Sequence, residues 1–128
     1  MALPGMIAWG RSGGGVVIAL TVSTNQTNYN IKTAAAAAGW DGTSVCTVNL
    51  TINSGVVINS SSRTTPALRT GSGWPVGSEI NITNGGTISG AGGTGGKGSD
   101  AGSAGVAGLS GGDAFWNESV PCNITNNG

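Results

Sequence analysis

The sequence has no histidine and few charged residues, and both absences argue against catalytic and nucleic-acid-binding functions. Histidine is the commonest general base and the commonest metal ligand in proteins. Only 8% of the 128 residues are charged, and the formal net charge is zero. A nucleic-acid-binding protein would carry a basic face, and a charged disordered tail would carry many more ionised groups. We therefore expect no enzyme activity, no cofactor or metal ion, and no nucleic-acid partner.

The carboxylates that are present do not form a recognisable catalytic pair. They are Asp41, Glu79, Asp100, Asp113 and Glu118, and no two of them sit in a known motif. Enzymes that cleave polysaccharides use paired carboxylates, and depolymerases place them on a β-helix much longer than this chain. A polysaccharide depolymerase is therefore the function that the sequence supports least.

Long apolar runs are also missing, which argues against a membrane-spanning helix. The run 14–22 is apolar but far too short to cross a bilayer. Arg11 followed by this run partly resembles a signal peptide, but a charged start and a clean cleavage site are lacking. A buried strand is the better interpretation of the run. A secreted bacterial adhesin-like module is kept as an alternative.

Only two cysteines are present, Cys46 and Cys122, and no metal-ligand spacing accompanies them. Both fall on the apolar side of a predicted strand, where a free cysteine behaves as a small hydrophobic residue. A disulfide between them requires that the two strands be neighbours. The sequence leaves that pairing open.

Glycine, by contrast, is abundant, and the stretch 85–112 contains a three-residue repeat. The repeated glycines are Gly90, Gly93, Gly96, Gly102, Gly105, Gly108 and Gly111, with Ser99 as the exception. This period suits an extended left-handed helix of the polyglycine II type, and the absence of proline argues against collagen. An ordered insertion and a flexible glycine/serine linker are the two alternatives.

Alternating apolar and polar residues predict a mainly β fold. Residues 16–23 alternate in this way, and a related motif occurs at 48–55, 80–86 and 122–128. Each of these three copies ends in an Asn, Ser or Gly corner, as expected for a half-buried strand that is followed by a turn. The unequal spacings argue against a strict solenoid. We predict short strands stacked in a β-helix-like or sandwich arrangement.

One short helix is predicted at the alanine run 34–38. Alanine is the strongest helix former, and Gly39 suits the left-handed position that ends a helix. Asn30 or Thr33 is the predicted cap at its start.

The predicted organisation is a single β domain at 16–128 with a glycine-rich insertion at 85–112. Residues 1–15 are predicted to be an N-terminal arm or docking segment, with a simple edge of the core as the alternative. Two copies of one strand motif flank the glycine stretch, which favours an ordered element over a linker. A chain with so many glycines has little apolar surface for a core of its own. We therefore expect oligomerisation to complete the fold.

The run 30–128 resembles a glycine-rich C-terminal domain of tailed-bacteriophage tail tip and central tail fibre proteins. The residues that carry the resemblance are 34–38, 39–44, 48–56, 60–62, 65–68, 74–82, 83–88, the glycine triplets and Asp113-Ala114. In that family the last Asn-Asn-Gly is followed by a second, longer glycine tract, which is missing after Gly128. We expect either a truncated chain or a protein that keeps the scaffold without the whole tip.

The resemblance implies a homotrimeric virion protein at the tail tip or fibre that takes part in host receptor binding. Its implied partners are further copies of itself, other virion tail or capsid proteins, and a bacterial surface receptor. Assembly would take place in the cytoplasm of the host bacterium. The alternative is a purely structural virion subunit, such as a capsid decoration or tail assembly protein, which binds no receptor.

The candidate receptor-binding residues are Lys97, Asp100, Phe115 and Trp116. Lys97 and Asp100 are the only charged residues among the glycine triplets, and a three-residue helix cannot bury them easily. Phe115 and Trp116 lie at the exit of the glycine stretch. Core packing is the alternative role for both, because large aromatic side chains dominate the burial of apolar surface.

Overall fold

The computed structural model describes residues 15–93 and 110–128, which form a mainly β structure with one short helix. The elements are β1 (Val16–Val22), β2 (Gln26–Thr27), β3 (Tyr29–Asn30), α1 (Ile31–Ala37), β4 (Cys46–Ile52), β5 (Val57–Asn59), β6 (Leu68–Arg69), β7 (Glu79–Asn84), β8 (Thr87–Ser89), β9 (Phe115–Trp116) and β10 (Cys122–Asn126). The prediction of a mainly β fold with a short alanine-rich helix is confirmed.

All strand pairs named here are parallel, and the strands lie in three sheets. The first sheet has the order β1-β4-β7-β10, the second β2-β5-β8 and the third β3-β6-β9. The chain therefore passes through the three sheets in turn and then returns to the first. We call each such passage a layer: β1 to β3 form the first layer, β4 to β6 the second and β7 to β9 the third.

The three copies of the repeated motif become β4, β7 and β10, which lie side by side in register. Val48 pairs with Ile80, and Ile80 pairs with Cys122, as the sequence alignment of the copies predicts. The copies lie 32 and 42 residues apart along the chain. These distances differ because the connections between the short strands differ in length, while the paired strands keep their register.

The inward-facing rows of the strands build the core. In β1, the buried residues are Ile18, Leu20 and Val22, on the face that the alternation predicts. The core also contains Ile31, Ala35, Trp40, Cys46, Val48, Leu50, Ile52, Val56, Ile58, Ala67, Leu68, Ile80, Ile82 and Val120. The apolar side chains of each layer thus lie next to those of the neighbouring layer, and together they form one continuous core.

The outward-facing row of the first sheet carries a ladder of asparagine side chains. The side-chain amide of Asn81 donates a hydrogen bond to Oδ1 of Asn49 (3.1 Å), and that of Asn123 donates to Oδ1 of Asn81 (2.9 Å). Asparagine is usually unfavourable in strands. Here the hydrogen bonds between layers compensate for that preference, and they are made only when the strands keep this register.

The helix α1 begins earlier than the alanine run predicts. Oδ1 of Asn30 accepts hydrogen bonds from the backbone N–H groups of Lys32 (2.9 Å) and Thr33 (3.3 Å), so Asn30, and not Thr33, is the cap. Gly39 follows the last turn with a φ of 117°, as predicted for a helix end. In the described part of the chain, no helix is long and apolar enough to cross a bilayer.

The two ends of the glycine-rich insertion lie against each other at the corner between the second and third sheets. The backbone N–H of Gly112 donates to the carbonyl oxygen of Ala91 (2.7 Å). A Cβ on Gly112 would lie 2.6 Å from the Cα atom of Arg63, and a Cβ on Gly90 would collide with the carbonyl oxygen of Gly112. Only glycine permits these approaches.

The sequence interpretation places the glycine-rich insertion directly between two copies of the repeated strand motif, and the structure corrects this. The glycine stretch connects β8 to β9, so the strand Phe115–Trp116 intervenes before the last copy of the motif. Because β9 has only two residues, no alternation of apolar and polar residues reveals it in the sequence. The polyglycine II prediction for the triplets falls largely on residues 94–109, which lie outside the described residues, and it stays a prediction.

Both cysteines are free thiols, and the disulfide that the sequence left open is not formed. Cys46 is buried and Cys122 is half-buried against the core, so the prediction that both face the apolar side is confirmed. They belong to β4 and β10, and β7 lies between these two strands. Two strand spacings amount to about 9–10 Å, which exceeds the roughly 7 Å that a disulfide can bridge between Cα atoms.

We predict that Asn81→Ala destabilises the protein more than Asn123→Ala. Asn81 makes two hydrogen bonds in the ladder, one as donor and one as acceptor, whereas Asn123 makes one. The expected losses in the free energy of unfolding are roughly 1–2 and 0.5–1 kcal/mol. Urea unfolding of both variants measures this difference. Equal stability of the two variants would contradict a contribution of the ladder.

We also predict that Cys46 resists alkylation in the folded protein. Burial, with a smaller effect from the charge of Asp41, raises the pKa of the Cys46 thiol to about 11. Since the thiolate is the reactive form, iodoacetamide near pH 8 should modify Cys122 before Cys46. Mass spectrometry of the peptides measures the order. Unfolding in urea is the control, because it should make the two rates equal.

Candidate functional site

The third sheet presents an outward row in which Asn30, Arg69 and Trp116 lie on successive strands. Asn30 pairs with Arg69, and Arg69 pairs with Trp116. Successive residues of a strand point to opposite faces. The preceding residue in each strand therefore faces inward, and Leu68 is fully buried while Phe115 packs against the core.

Trp116 differs from the other tryptophans of the described residues because its side chain is exposed. Its exposed fraction is 47%, whereas Trp40 is buried and stacks on Trp74 with 4.7 Å between the ring centroids. The indole N–H groups of Trp40 and Trp74 donate to the backbone oxygens of Ser44 and Thr70, at 2.8 and 3.0 Å. Core packing thus accounts for Phe115 in part, but not for Trp116.

Arg69 lies over the ring of Trp116 and is held there by Glu118. The Cζ atom of Arg69 is 5.3 Å from the ring centroid. Its Nε donates to Oε2 of Glu118 (2.9 Å) and its Nη2 donates to Oε1 (2.5 Å), in a two-pronged ion pair. The side chains of Arg69 and Glu118 are 33% and 12% exposed. The guanidinium is therefore fixed in one orientation against the indole ring.

Glu118 also connects the loop between β9 and β10, in which it lies, to the second layer. Its Oε2 accepts the backbone N–H of Gly71 (2.9 Å), and its backbone N–H donates to Oγ1 of the buried Thr70 (2.8 Å). The neighbouring Ser119 adopts a φ of 73°, which is a strained conformation for a residue other than glycine. The loop holds this conformation because Glu118 is bonded on both its side chain and its backbone.

The charges at this site cancel each other. The hydrogen bond from Arg69 is the largest influence that lowers the pKa of Glu118, and the hydrogen bond from Glu118 raises the pKa of Arg69. Both groups are therefore ionised at neutral pH and form a neutral pair beside an exposed aromatic ring. Such an arrangement can stack on a ligand and donate hydrogen bonds to it. In residues 15–93 and 110–128, no cluster of possible metal ligands occurs.

Of the sequence-predicted site residues, the structure places Phe115 and Trp116 in β9, one inward and one outward. Lys97 and Asp100 lie outside the described residues. Arg69 and Glu118 were missed by the sequence interpretation, because 49 residues separate them along the chain. Only the stacking of the second and third layers brings them together. The isolated pair Leu68-Arg69 gives no strand signal that could have revealed this.

A second surface feature lies beside the inward row of β10. Ile124 continues the row of Leu50 and Ile82, yet its side chain is 49% exposed. A cavity of about 330 Å³ opens next to it. The cavity is lined by Asn84, Gly86, Thr87, Ile88, Ile124, Asn126 and Gly128. The lining mixes apolar and polar groups, and the side-chain amide of Asn84 donates a hydrogen bond to Oδ1 of Asn126 (2.8 Å).

We predict that Glu118→Gln removes a pH-dependent part of the stability. The pKa of Glu118 is lowered in the folded state, so its contribution is fully present above the unfolded pKa of about 4.3. That contribution is lost as the pH falls through the lower folded pKa. At pH 7 the variant should be roughly 1–2 kcal/mol less stable, and the difference should shrink toward pH 3.

The control for this prediction is a double-mutant cycle with Arg69→Gln. The double variant should lose less than the sum of the two single losses, because either change alone already breaks the ion pair. Urea unfolding at several pH values supplies all of these free energies. If the difference in unfolding free energy between wild type and Glu118→Gln stayed constant with pH, it would not arise from the ionised Glu118 carboxylate.

Comparisons with known proteins agree with the likeness to phage tail proteins. The family model described as Phage tail fibre adhesin Gp38 matches residues 17–128. No curated protein and no solved structure matched the chain. The matched region begins in β1 and continues past Trp116 and Glu118 through β10, and so includes strands of all three sheets. The chain therefore belongs to the phage tail fibre adhesin Gp38 family.

Proposed function

We propose that the protein is a tail fibre component of the virion that binds a receptor on the surface of the host bacterium. The observation that carries this proposal is the family match over 17–128. We place the binding surface at Trp116 and define the Trp116 surface as Trp116, Arg69, Asn117, Glu118 and Ser119. A large aromatic side chain that is exposed and held rigidly is typical of residues that dominate binding energy.

We further propose that the three sheets form a β-helix, because the chain visits them in a constant order and all pairs among the strands β1 to β10 are parallel. In this proposal, residues 16–128 are one domain and residues 1–15 dock onto another virion protein. Homotrimer formation is proposed because the chain is small and rich in glycine. The cavity beside the exposed side chain of Ile124 is a surface that a neighbouring subunit could cover.

The glycine-rich insertion is proposed to extend the recognition surface. Its two ends meet at Arg63, and Phe115 and Trp116 follow shortly after its return. Lys97 and Asp100 lie outside the described residues and are kept in this proposal as candidate receptor-binding residues. Because loops that are anchored on a rigid scaffold commonly carry binding residues, this position suits recognition.

We also propose that the protein acts by binding and not by catalysis, without a cofactor, and that it is assembled in the host cytoplasm. The Arg69–Glu118 pair supports only the absence of catalysis at the Trp116 surface, because both groups are already engaged with each other. A carboxylate that acts as a general acid or base would need a pKa closer to the working pH. The pKa of Glu118 is shifted in the opposite direction.

A purely structural role is the second candidate, and the exposed Ile124 favours it. An apolar side chain on an otherwise buried row is suited to packing against another subunit. This role requires no receptor and no contribution from Trp116. The two candidates therefore differ in what they predict for adsorption of phage to cells.

Competition for adsorption tests the proposal. Excess purified protein should slow the adsorption of phage to susceptible cells, and Trp116→Ala should compete about tenfold less well. Val76→Ala is the matched control, because Val76 is another exposed apolar residue, with 97% of its surface accessible. If excess wild-type protein leaves adsorption unchanged, the receptor-binding proposal is wrong and the structural role is supported.

A further inference from the structure

We infer that the Trp116 surface binds a neutral sugar ring of a bacterial surface polysaccharide. The inference rests on the proposed receptor-binding function and names the chemical class of its ligand. It is carried by three features of the site: the exposed indole ring, the neutralised guanidinium, and the uncharged polar side chains around them.

The indole ring supplies a flat apolar surface, and the part of it that Arg69 does not cover is open to solvent. Trp116 is 47% exposed, and its backbone is part of the sheet, so the ring projects from a fixed position. A pyranose ring has a face made of C–H groups, which packs well on the electron-rich face of an aromatic ring. Such contacts add to the simple burial of apolar area. A sugar ring that stacks on the part of the indole left open by Arg69 is thus complementary to it in shape and in polarity.

Arg69 supplies hydrogen-bond donors in a fixed orientation. Its Nε and Nη2 groups donate to the Glu118 carboxylate, while within the described residues its Nη1 group has no recorded partner. A guanidinium carries several N–H donors and no acceptor, so the remaining N–H groups can donate to hydroxyl oxygens. Glu118 has lone pairs beyond those used here and can accept from hydroxyl groups.

Because the charges of Arg69 and Glu118 neutralise each other, the site favours a neutral ligand over an anionic one. Arg69 is paired with Glu118, and the exposed neighbours Asn117 and Ser119 are uncharged. An acidic polysaccharide would require positive charge without a partner at this place. The neighbouring amide and hydroxyl groups of Asn117 and Ser119 can exchange hydrogen bonds with sugar hydroxyls.

The site is also rigid before any ligand binds. Glu118 is bonded to Arg69, Gly71 and Thr70, and Asn117 holds the loop through hydrogen bonds with the backbone of Val120 (2.9 and 3.2 Å). A preformed site loses less conformational entropy when it binds. This matters for sugars, because each hydroxyl gives up hydrogen bonds with water on binding.

Fluorine NMR of the full-length protein, labelled with 5-fluorotryptophan, tests the inference. Each of the four tryptophans carries one fluorine label, and the signal that disappears in Trp116→Phe is that of Trp116. The probes are the neutral and acidic fractions of delipidated surface polysaccharide from a susceptible strain, separated by anion exchange. The neutral fraction should shift the Trp116 signal in a saturable way. The affinity should change less than about twofold between about 50 and 500 mM salt, because screening weakens only charged contacts.

Variants test whether the ring itself carries the binding. Saturation-transfer NMR on the sugar protons should show about tenfold weaker binding for Trp116→Ala, while Trp116→Phe keeps most of the affinity. Val76→Ala should bind as the wild type does. If Trp116→Ala fails to fold, Trp116→Phe and the salt dependence still decide the question.

Several outcomes would overturn the inference. They are the absence of a Trp116 shift with the neutral fraction, binding to the acidic fraction alone with loss at high salt, and full affinity in Trp116→Ala. If the protein competes for adsorption but binds no polysaccharide, the receptor is a protein and only the sugar inference fails. If it binds the neutral fraction but does not compete, the inference holds and the receptor-binding function fails.

Discussion

The parallel register between neighbouring layers is the constraint on which the rest of this structure depends. It places Leu50 beside Ile82 on the inward face and Asn49 beside Asn81 on the outward face. A slip of one residue would turn the apolar row to solvent and the amides into the core. The apolar row and the asparagine ladder therefore specify the same register, and their agreement selects a single arrangement of the layers.

The surface around Trp116 that we propose for recognition is a consequence of that register. Arg69 and Glu118 are distant in sequence, but stacking of the second layer on the third brings their side chains into a two-pronged ion pair. The same stacking places the guanidinium over Trp116. The scaffold thus fixes an exposed aromatic ring and a hydrogen-bonding group with little freedom left in either.

The sequence carried most of the information about the first sheet, because its strands are long enough for alternation to be visible. The strand at 16–22, the three related copies and the inward orientation of the cysteines all follow from that pattern. The two-residue strands of the other sheets give no such signal. Their positions are set by the neighbouring layers, and this is why β9 was not predicted and why the sequence left Trp116 between receptor binding and core packing.

The sequence by itself determined the mainly β class, the alanine helix with its glycine end, and a surface built from amides and hydroxyls. These properties depend on local preferences and on composition, which need no knowledge of distant contacts. Only the tertiary structure decided that Cys46 and Cys122 stay apart, that the insertion returns to Arg63, and that Glu118 holds Arg69 against Trp116. Each of these depends on which strands are neighbours, and that choice is made by packing between segments far apart in the chain.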